Sequence, residues 1–179
     1  QSVSLIIVTD VYTLIPAIHF DQDKAKDFLQ LQHPILTDAS QVLYTYYKHA
    51  DAMLIYAFNK QSIKAVQNIF QQINIQHHLH QLIEEHQNIT GEQVSLWIRP
   101  EKIDCLASRG NNIQLFNSYP WQTEEDILYH VLNILHHLHF NHETTKITIY
   151  RGNDIGTHPD DTLSNYIPLI NIKNIPTDI

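Results

Sequence analysis

The sequence predicts a mixed α/β protein with two lobes. Runs rich in β-branched and aromatic residues alternate with segments whose apolar residues recur every three or four positions, as strands and amphipathic helices require. The second half has the order strand, strand, strand, helix, strand. A short polar stretch that contains glycine, NITGEQ (88–93), interrupts the middle of the chain. We therefore expect a first lobe over residues 1–90 and a second lobe over residues 91–179.

The first half combines strand-like runs with helical segments. Asp21 precedes a segment with helical spacing, and aspartate is a residue type that caps helix N-termini. Two apolar runs flank His49-Ala50-Asp51, which indicates a β-hairpin with a short turn. In chain order, the predicted elements are a strand-like stretch (3–16), a helix (21 to about 32), a hairpin (41–60), a helix (61–72), a short strand (73–76) and a helix (79–86).

The second half is punctuated by two tight turns and one helix start. Pro100-Glu101 and Gly110-Asn111-Asn112 separate three strand-like runs, and glycine and asparagine tolerate the positive φ of hairpin turns. Thr123 can cap a long helix, and the acidic residues 124–126 are favourable in its first turn. The predicted elements are strands at 93–100, 102–109 and 112–120, a helix from about 123 to 139 and a strand at 146–150. This is the order of a ribonuclease-H-like core, a mixed sheet backed by helices.

Composition excludes several classes of partner. The chain has 11 Lys and Arg against 19 Asp and Glu, a formal net charge of −8, and no basic run. Nucleic acid and anionic lipid both require clustered cations, so we expect neither as a partner. No apolar run approaches the ~18 residues of a membrane-spanning helix. The single cysteine, Cys105, cannot form an intramolecular disulfide, which favours a reducing compartment and a cytoplasmic location. The oligomeric state is left open.

Histidine is frequent, at 13 residues, and the segment YHVLNILHHLHFNHE (129–143) contains five. A zinc site needs three or four ligands, and helices usually supply them as a pair four residues apart. No pair in this segment has that spacing, and the cluster QHHLHQ (76–81) has no such pair either. We therefore predict no metal site, and a metal-dependent enzyme built on these histidines is disfavoured.

The sequence also lacks other catalytic patterns. With 4 glycines, the chain has no phosphate-binding loop of the Walker or dinucleotide type and no nucleophile elbow. Cys105 lies in the middle of a predicted strand, where burial opposes a role as nucleophile. No catalytic residue is predicted.

Several stretches resemble a known family. YTLIP followed by HFD, then HADAMLIYAFNK, and above all LFNSYPWQTEEDILYHVLNIL are similar to a bacterial domain-of-unknown-function family, DUF3822. The resemblance runs from about Tyr12 to Tyr150. It implies an actin-like ATPase fold, related to that of the pilus-assembly M proteins, with two ribonuclease-H-like lobes and a cleft between them. It also implies that the first strands of the first lobe, with the first phosphate loop, lie upstream of Gln1.

The resemblance also indicates where a nucleotide would bind. Actin-like ATPases hold it with two Asp-x-Gly-type hairpins and a glycine-rich adenosine loop, in which backbone N–H groups contact phosphate oxygens and aspartates orient Mg²⁺. Here the second hairpin reads Ile98-Arg99-Pro100-Glu101, without an Asp-Gly pair. The adenosine loop would be YRGND (150–154), with Gly152, Asn153 and Asp154. Arg99 could pair with a phosphate; alternatively, it is a turn arginine exposed to solvent.

The predicted function depends on how the hairpin at residues 98–101 and the loop at residues 150–154 differ from the nucleotide-binding pattern of the fold. We expect a non-catalytic protein with an actin-like fold that acts through contact with an unidentified protein partner and uses no cofactor. The alternative is a degenerate ATP-binding protein in which Arg99, Gly152, Asn153 and Asp154 surround the nucleotide.

Overall fold

The predicted alternation of strands and helices is present in both halves of the chain. In a computed structural model, the described residues are 2–34, 36–70, 72–87, 90–152 and 159–175. They divide into two units, residues 1–84 and residues 85–179. No helix in the described ranges is long and apolar enough to cross a membrane. The assignment of residues 1–90 as a partial ribonuclease-H-like lobe stays a prediction.

The first unit contains two separate sheets. Strands β1 and β5 pair in parallel, and β2, β4 and β3 form an antiparallel sheet in that order. The elements are β1 (Ser2–Ile7), β2 (Tyr12–Pro16), α1 (Ala25–Gln30), β3 (Ser40–Tyr47), β4 (Ala52–Asn59), α2 (Lys60–Gln67), β5 (Gln72–His77) and α3 (His80–Glu84).

Helix α1 covers one face of the antiparallel sheet. Its Leu29 is fully buried against alternate residues of β4, whose side chains point to the same face at a period of two. As predicted, Asp21 accepts a hydrogen bond from the backbone N–H of Asp23, although a 3₁₀ turn precedes the α-helix itself. The core of this unit consists of Ala25, Leu29, Met53, Ile55 and Ala57.

The predicted strand-like stretch over residues 3–16 is divided into two strands in different sheets. Between them, the Thr9 hydroxyl donates to the carbonyl of Ala57 at 2.9 Å and accepts from the N–H of Val11 at 3.1 Å. These bonds turn the chain from β1 into β2. The division between the two strands depends on Ala57, which lies 48 positions after Thr9 in the sequence, so local composition does not reveal it.

The second unit is one five-stranded sheet in the order β10-β9-β6-β7-β8. Strands β6, β7 and β8 are an antiparallel meander, whereas β9 is parallel to β6 and β10 is parallel to β9. The elements are β6 (Glu92–Arg99), β7 (Lys102–Arg109), β8 (Asn112–Pro120), α4 (Glu124–Leu138), β9 (Lys146–Gly152), α5 (Pro159–Ser164) and β10 (Ile170–Ile175). Thus the predicted meander, helix and strand are confirmed, and α5 and β10 extend them.

Helix α4 supplies much of the core of the second unit. The predicted cap at Thr123 is confirmed, and it is part of a capping box in which Thr123 and Asp126 satisfy each other's backbone N–H groups. The apolar face of α4 packs on alternate residues of β6, β7 and β9. These residues are buried because the contacting faces of the helix and of the sheet are both apolar. The buried residues of this contact include Val94, Leu96, Ile98, Ile103, Ile127, Val131, Ile134 and Ile149.

Glu92 connects the start of β6 with the end of β7 and with the segment between α4 and β9 through hydrogen bonds. Its carboxylate accepts from the N–H of Asn141 at 2.8 Å, from Arg109 at 3.0 Å and from the hydroxyl of Thr145 at 3.2 Å. Burial raises the pKa of Glu92, but these three bonds outweigh burial, and the net shift is downward. The carboxylate therefore stabilises the fold above the ordinary glutamate pKa of about 4.3.

Replacing Glu92 with glutamine is expected to lower the free energy of unfolding at neutral pH by about 1 to 2 kcal/mol. The difference from wild type should shrink as the pH falls through the lowered pKa, because the wild-type carboxyl then becomes neutral as well. Urea unfolding of both proteins at several pH values measures this. Glu143→Gln, at an exposed position, is the matched control and should show little effect; a Glu92 effect that is independent of pH would contradict the role of charge.

Candidate functional site

The carboxyl ends of three parallel strands meet at one edge of the second-unit sheet. Ile98 of β6 is paired with Arg151 of β9, and Gly152 of β9 is paired with Ile175 of β10. Arg99 and Gly152, two of the predicted nucleotide contacts, therefore lie at the same edge. In open α/β sheets, this edge is where ligands usually bind. It is the candidate site of this unit.

The β6–β7 hairpin closes this edge with a turn made of Pro100 and Glu101. Pro100 has no N–H to offer a ligand. Glu101 has a φ of 65°, a left-handed conformation that glycine or asparagine usually occupies in such turns. Trp121 makes two hydrogen bonds to the hairpin. Its backbone N–H donates to the Glu101 carbonyl at 3.0 Å, and its indole N–H donates to the Arg99 carbonyl at 2.9 Å. The turn thus contacts Trp121 through its carbonyls.

The Arg99 guanidinium is engaged within the same hairpin. It donates from Nε to Oδ2 of Asp104 at 2.6 Å and from Nη2 to Oδ1 at 3.0 Å, the bidentate geometry of a strong ion pair. Ser118 on β8 donates its hydroxyl to the same carboxylate. Asp104 is fully buried, and only 13% of the Arg99 side chain is exposed.

The structure therefore corrects one of the two interpretations of Arg99. It is not a turn arginine exposed to solvent, because a buried carboxylate in the next strand holds it. Its pairing with a phosphate stays a prediction, and a phosphate would have to compete with Asp104.

Burial and the charge of Asp104 together raise the pKa of Cys105 well above its ordinary value, so this thiol stays protonated at neutral pH.

The neighbouring strand end carries Tyr150 and Gly152. Tyr150 stacks on Trp97 with ring centroids 6.4 Å apart and donates its hydroxyl to Glu85, which Lys173 of β10 also contacts. Burial, then the Glu85 carboxylate, raise the pKa of Tyr150 far above its ordinary value, so its phenol stays protonated at neutral pH. The other two predicted nucleotide contacts, Asn153 and Asp154, lie outside the described residues.

The histidines are spread over both units. His130 stacks on Tyr119 with ring centroids 4.7 Å apart and donates from Nε2 to the Pro120 carbonyl at 3.0 Å. His136 and His137 are exposed near the end of α4. Within the described residues, no three His, Cys, Asp or Glu side chains are grouped as metal ligands. The prediction that the protein has no metal site stays a prediction.

The first unit has a pocket of about 390 Å³ beside the start of β2 and the end of β4. Its apolar wall includes Phe58 and Ala57. Polar atoms at its rim are engaged locally: Ser40 accepts from the N–H of Thr37, and Asn59 caps α2 by accepting from the N–H of Gln61. Of the predicted site residues that the structure describes, Arg99 and Gly152, neither lines this pocket.

Sequence reasoning missed Asp104, Ser118 and Trp121. Asp104 carried a signal, because it is a carboxylate inside an apolar strand, five residues after an arginine on the strand predicted to pair with it. A buried carboxylate needs a cation, and Arg99 was within reach across the turn. Ser118 and Trp121 carried no such signal, since their contacts depend on the register of β8 against β7.

Comparison with solved structures gives the class of the fold. A Bacteroides thetaiotaomicron VPI-5482 protein described as having an actin-like ATPase fold and unknown function superposes with a TM-score of 0.80 at 18% identity, over 95% of this chain and 67% of that chain. A chain of the PilM–PilN type IV pilus biogenesis complex superposes with a TM-score of 0.54 at 6% identity, over 96% of this chain and 69% of that chain. The protein has an actin-like ATPase fold, as the sequence predicted.

The family follows from a match over most of the chain. The model of the family described as "Protein of unknown function (DUF3822)" matches residues 1–170. The chain belongs to the DUF3822 family, which confirms the resemblance inferred from its motifs. No curated protein matches the chain.

Proposed function

We propose that this protein is a non-catalytic member of the actin-like fold class that binds another polypeptide in the cytoplasm. The observation that carries the proposal is the β6–β7 hairpin. Its arginine is paired with the buried Asp104, its first turn residue is Pro100, and two of its carbonyls accept hydrogen bonds from Trp121. Each of these features opposes the binding of a triphosphate by the backbone of this hairpin.

The physical argument concerns backbone amides. A phosphate-binding hairpin works because small residues let several N–H groups approach the phosphate oxygens, while an aspartate orients Mg²⁺ and water. Here proline removes one N–H, and the side chain of Glu101 adds a carboxylate at the turn. Asp104 is the nearest described carboxylate on the adjoining strand, but Arg99 and Ser118 already bind its oxygens. The hairpin thus uses its charged groups and carbonyls for contacts within its own unit.

One solved structure with this fold supports binding to a polypeptide. One of the solved chains with the same fold belongs to a complex of two proteins, PilM and PilN. The composition of the chain fits as well: only 17% of residues are charged, so a protein surface is a better match than a polyanion. The degenerate ATP-binding alternative is supported by the fold class alone.

Thermal unfolding in the presence of Mg-ATP tests the proposal. We expect an unchanged melting temperature, because a ligand that does not bind the native state does not stabilise it. A site saturated a hundredfold above its dissociation constant would contribute about 2.7 kcal/mol, or a rise of about 5 to 10 °C for a chain of this size. Tripolyphosphate without Mg²⁺ is the control for non-specific anion binding. A rise with Mg-ATP alone would favour the degenerate nucleotide-binding alternative.

The partner is sought with the full-length protein as bait. We expect a specific polypeptide that co-purifies equally with and without added ATP, and whose binding can be reproduced with purified components. Binding that appears only when ATP is present would contradict the proposal, since it would make the nucleotide part of the function.

A further inference from the structure

The pocket of about 390 Å³ continues the apolar layer between helix α1 and its sheet. Val11, Leu36 and Ala57 line the pocket, and the same three residues belong to the hydrophobic cluster of the first unit or pack against it. Helix α1 ends at Gln30, whereas the pocket extends along β4 as far as Asn59. Its volume is in the range of about 300 to 1,000 Å³ that is typical of small-ligand sites.

Hydrogen bonds at two points hold the wall of the pocket in place. The backbone N–H of His33 donates to the Leu29 carbonyl at 2.8 Å, and its Nε2 donates to the Tyr12 carbonyl of β2 at 3.1 Å. Further along the wall, the N–H of Ser40 donates to the Thr37 carbonyl at 3.0 Å, and Ser40 Oγ accepts from the N–H of Thr37 at 3.3 Å. The wall is thus connected to both β2 and β3, as in the largely preformed pockets that bind small molecules.

Two hydrogen-bond donors lie side by side in this pocket. Ser40 and Asn59 are directly opposite each other in the β3–β4 ladder, so their side chains share one face with Cβ atoms about 4.5 to 5.5 Å apart. Ala57, two residues before Asn59, points to that same face. The oxygens of both side chains accept backbone N–H groups, from Thr37 and Gln61 respectively. Among the described residues, no group accepts from the Asn59 amide or the Ser40 hydroxyl, so both can donate to a ligand.

The remaining polar lining is uncharged. Because Nε2 of His33 donates to a carbonyl, which only accepts, the neutral ring has its proton there and Nδ1 is an acceptor. The described residues that line the pocket include no Lys, Arg, Asp or Glu. Two neighbouring cations are held at Asp38: Lys26 lies 3.9 Å from its carboxylate, and Lys60 donates to its carbonyl at 3.1 Å. The lining therefore favours an uncharged ligand that both accepts and donates hydrogen bonds.

We propose that this pocket binds an uncharged small molecule with an amide group on a flat apolar body, an aromatic carboxamide or a lactam ring. The apolar body lies on Val11 and Ala57. The amide oxygen accepts from Ser40 and Asn59, and the amide N–H donates to Nδ1 of His33. The site lies within the first unit and does not use the β6–β7 hairpin, so this inference is independent of the proposed function.

Titration of the intact, isotope-labelled chain with benzamide, followed by NMR, tests the proposal. We expect saturable shifts of the backbone amides of residues that line the pocket. Benzoate has the same shape but is charged and lacks the N–H donor. It is expected to bind at least about tenfold more weakly, because the lining offers no cation to replace its hydration. The proposal is overturned if benzamide shows no saturable binding up to its solubility limit, or if benzoate binds as tightly.

Asn59→Asp tests the amide donor. Aspartate has nearly the same shape and still caps α2 by accepting from the N–H of Gln61, but it replaces the NH₂ donor with an oxygen that only accepts. We expect the dissociation constant of benzamide to rise about tenfold. Asn68→Asp makes the same change at the exposed C-cap of α2 and should leave the constant unchanged. Circular dichroism should show both variants folded. An unchanged constant in Asn59→Asp, or an equal rise in Asn68→Asp, also overturns the proposal.

Discussion

Replacing Arg99 with methionine is expected to lower the free energy of unfolding by about 3 to 5 kcal/mol. The change removes the bidentate cation from a fully buried carboxylate that also accepts from the Ser118 hydroxyl. Removing one partner of a buried ion pair costs more than the pair itself contributes, because the buried carboxylate cannot recover its hydration. This is the largest expected effect of a polar substitution at the candidate site.

A second substitution separates the ion pair from the packing around it. The double variant Arg99→Met with Asp104→Leu removes both charges and fills the space with apolar groups, so we expect it to recover most of the lost stability. Urea unfolding followed by tryptophan fluorescence is the measurement, and it reports on the second unit because both tryptophans, Trp97 and Trp121, lie there. If the two single effects simply add in the double variant, the two side chains do not act as a pair.

Replacing Leu96 with alanine is expected to cost about 2 to 5 kcal/mol. Leu96 lies in the middle of β6 and is fully buried in the core between the sheet and α4. The shorter side chain loses apolar contacts and leaves a cavity that close-packed neighbours fill only in part. Because β6 ends at Arg99, the packing of Leu96 in the core of the second unit also positions the β6–β7 hairpin.

The matched control for Leu96→Ala makes the same chemical change on the surface. Leu31 is 82% exposed, so Leu31→Ala is expected to alter stability by less than about 0.5 kcal/mol. Urea unfolding followed by circular dichroism is suitable for both, because it detects either unit. Equal effects of the two substitutions would contradict the assignment of Leu96 to the core.

Much of the fold could be predicted from the sequence because its signals are local. The hairpin of β3 and β4, the meander of β6, β7 and β8, and the capped helix α4 all follow from periodicity, turn residues and a capping threonine within a few positions. The same holds for the turn at Gly110, whose φ of 58° is one that glycine adopts without strain.

The parts that could not be predicted depend on distant residues or on weak local patterns. The break between β1 and β2 depends on Thr9 bonding to Ala57. Helix α5 is only six residues long and has too few turns for a periodic signal, and β10 (Ile170–Ile175) mixes apolar residues with asparagine and lysine. At the candidate site, Arg99 was found by its place in the hairpin, and Asp104 carried a signal as a carboxylate in an apolar strand, whereas the contacts of Ser118 and Trp121 depend on the register of β8 against β7.

The central claim is that a turn of arginine, proline and glutamate does not grip a triphosphate. The most direct test is a crystal structure of the intact protein soaked with Mg-ATP or a slowly hydrolysed analogue. We predict no nucleotide density beside Pro100 and an Arg99–Asp104 ion pair that is unchanged. Density for a triphosphate bound at that turn, with Arg99 moved from Asp104 to a phosphate oxygen, would contradict the claim and identify a nucleotide-binding protein.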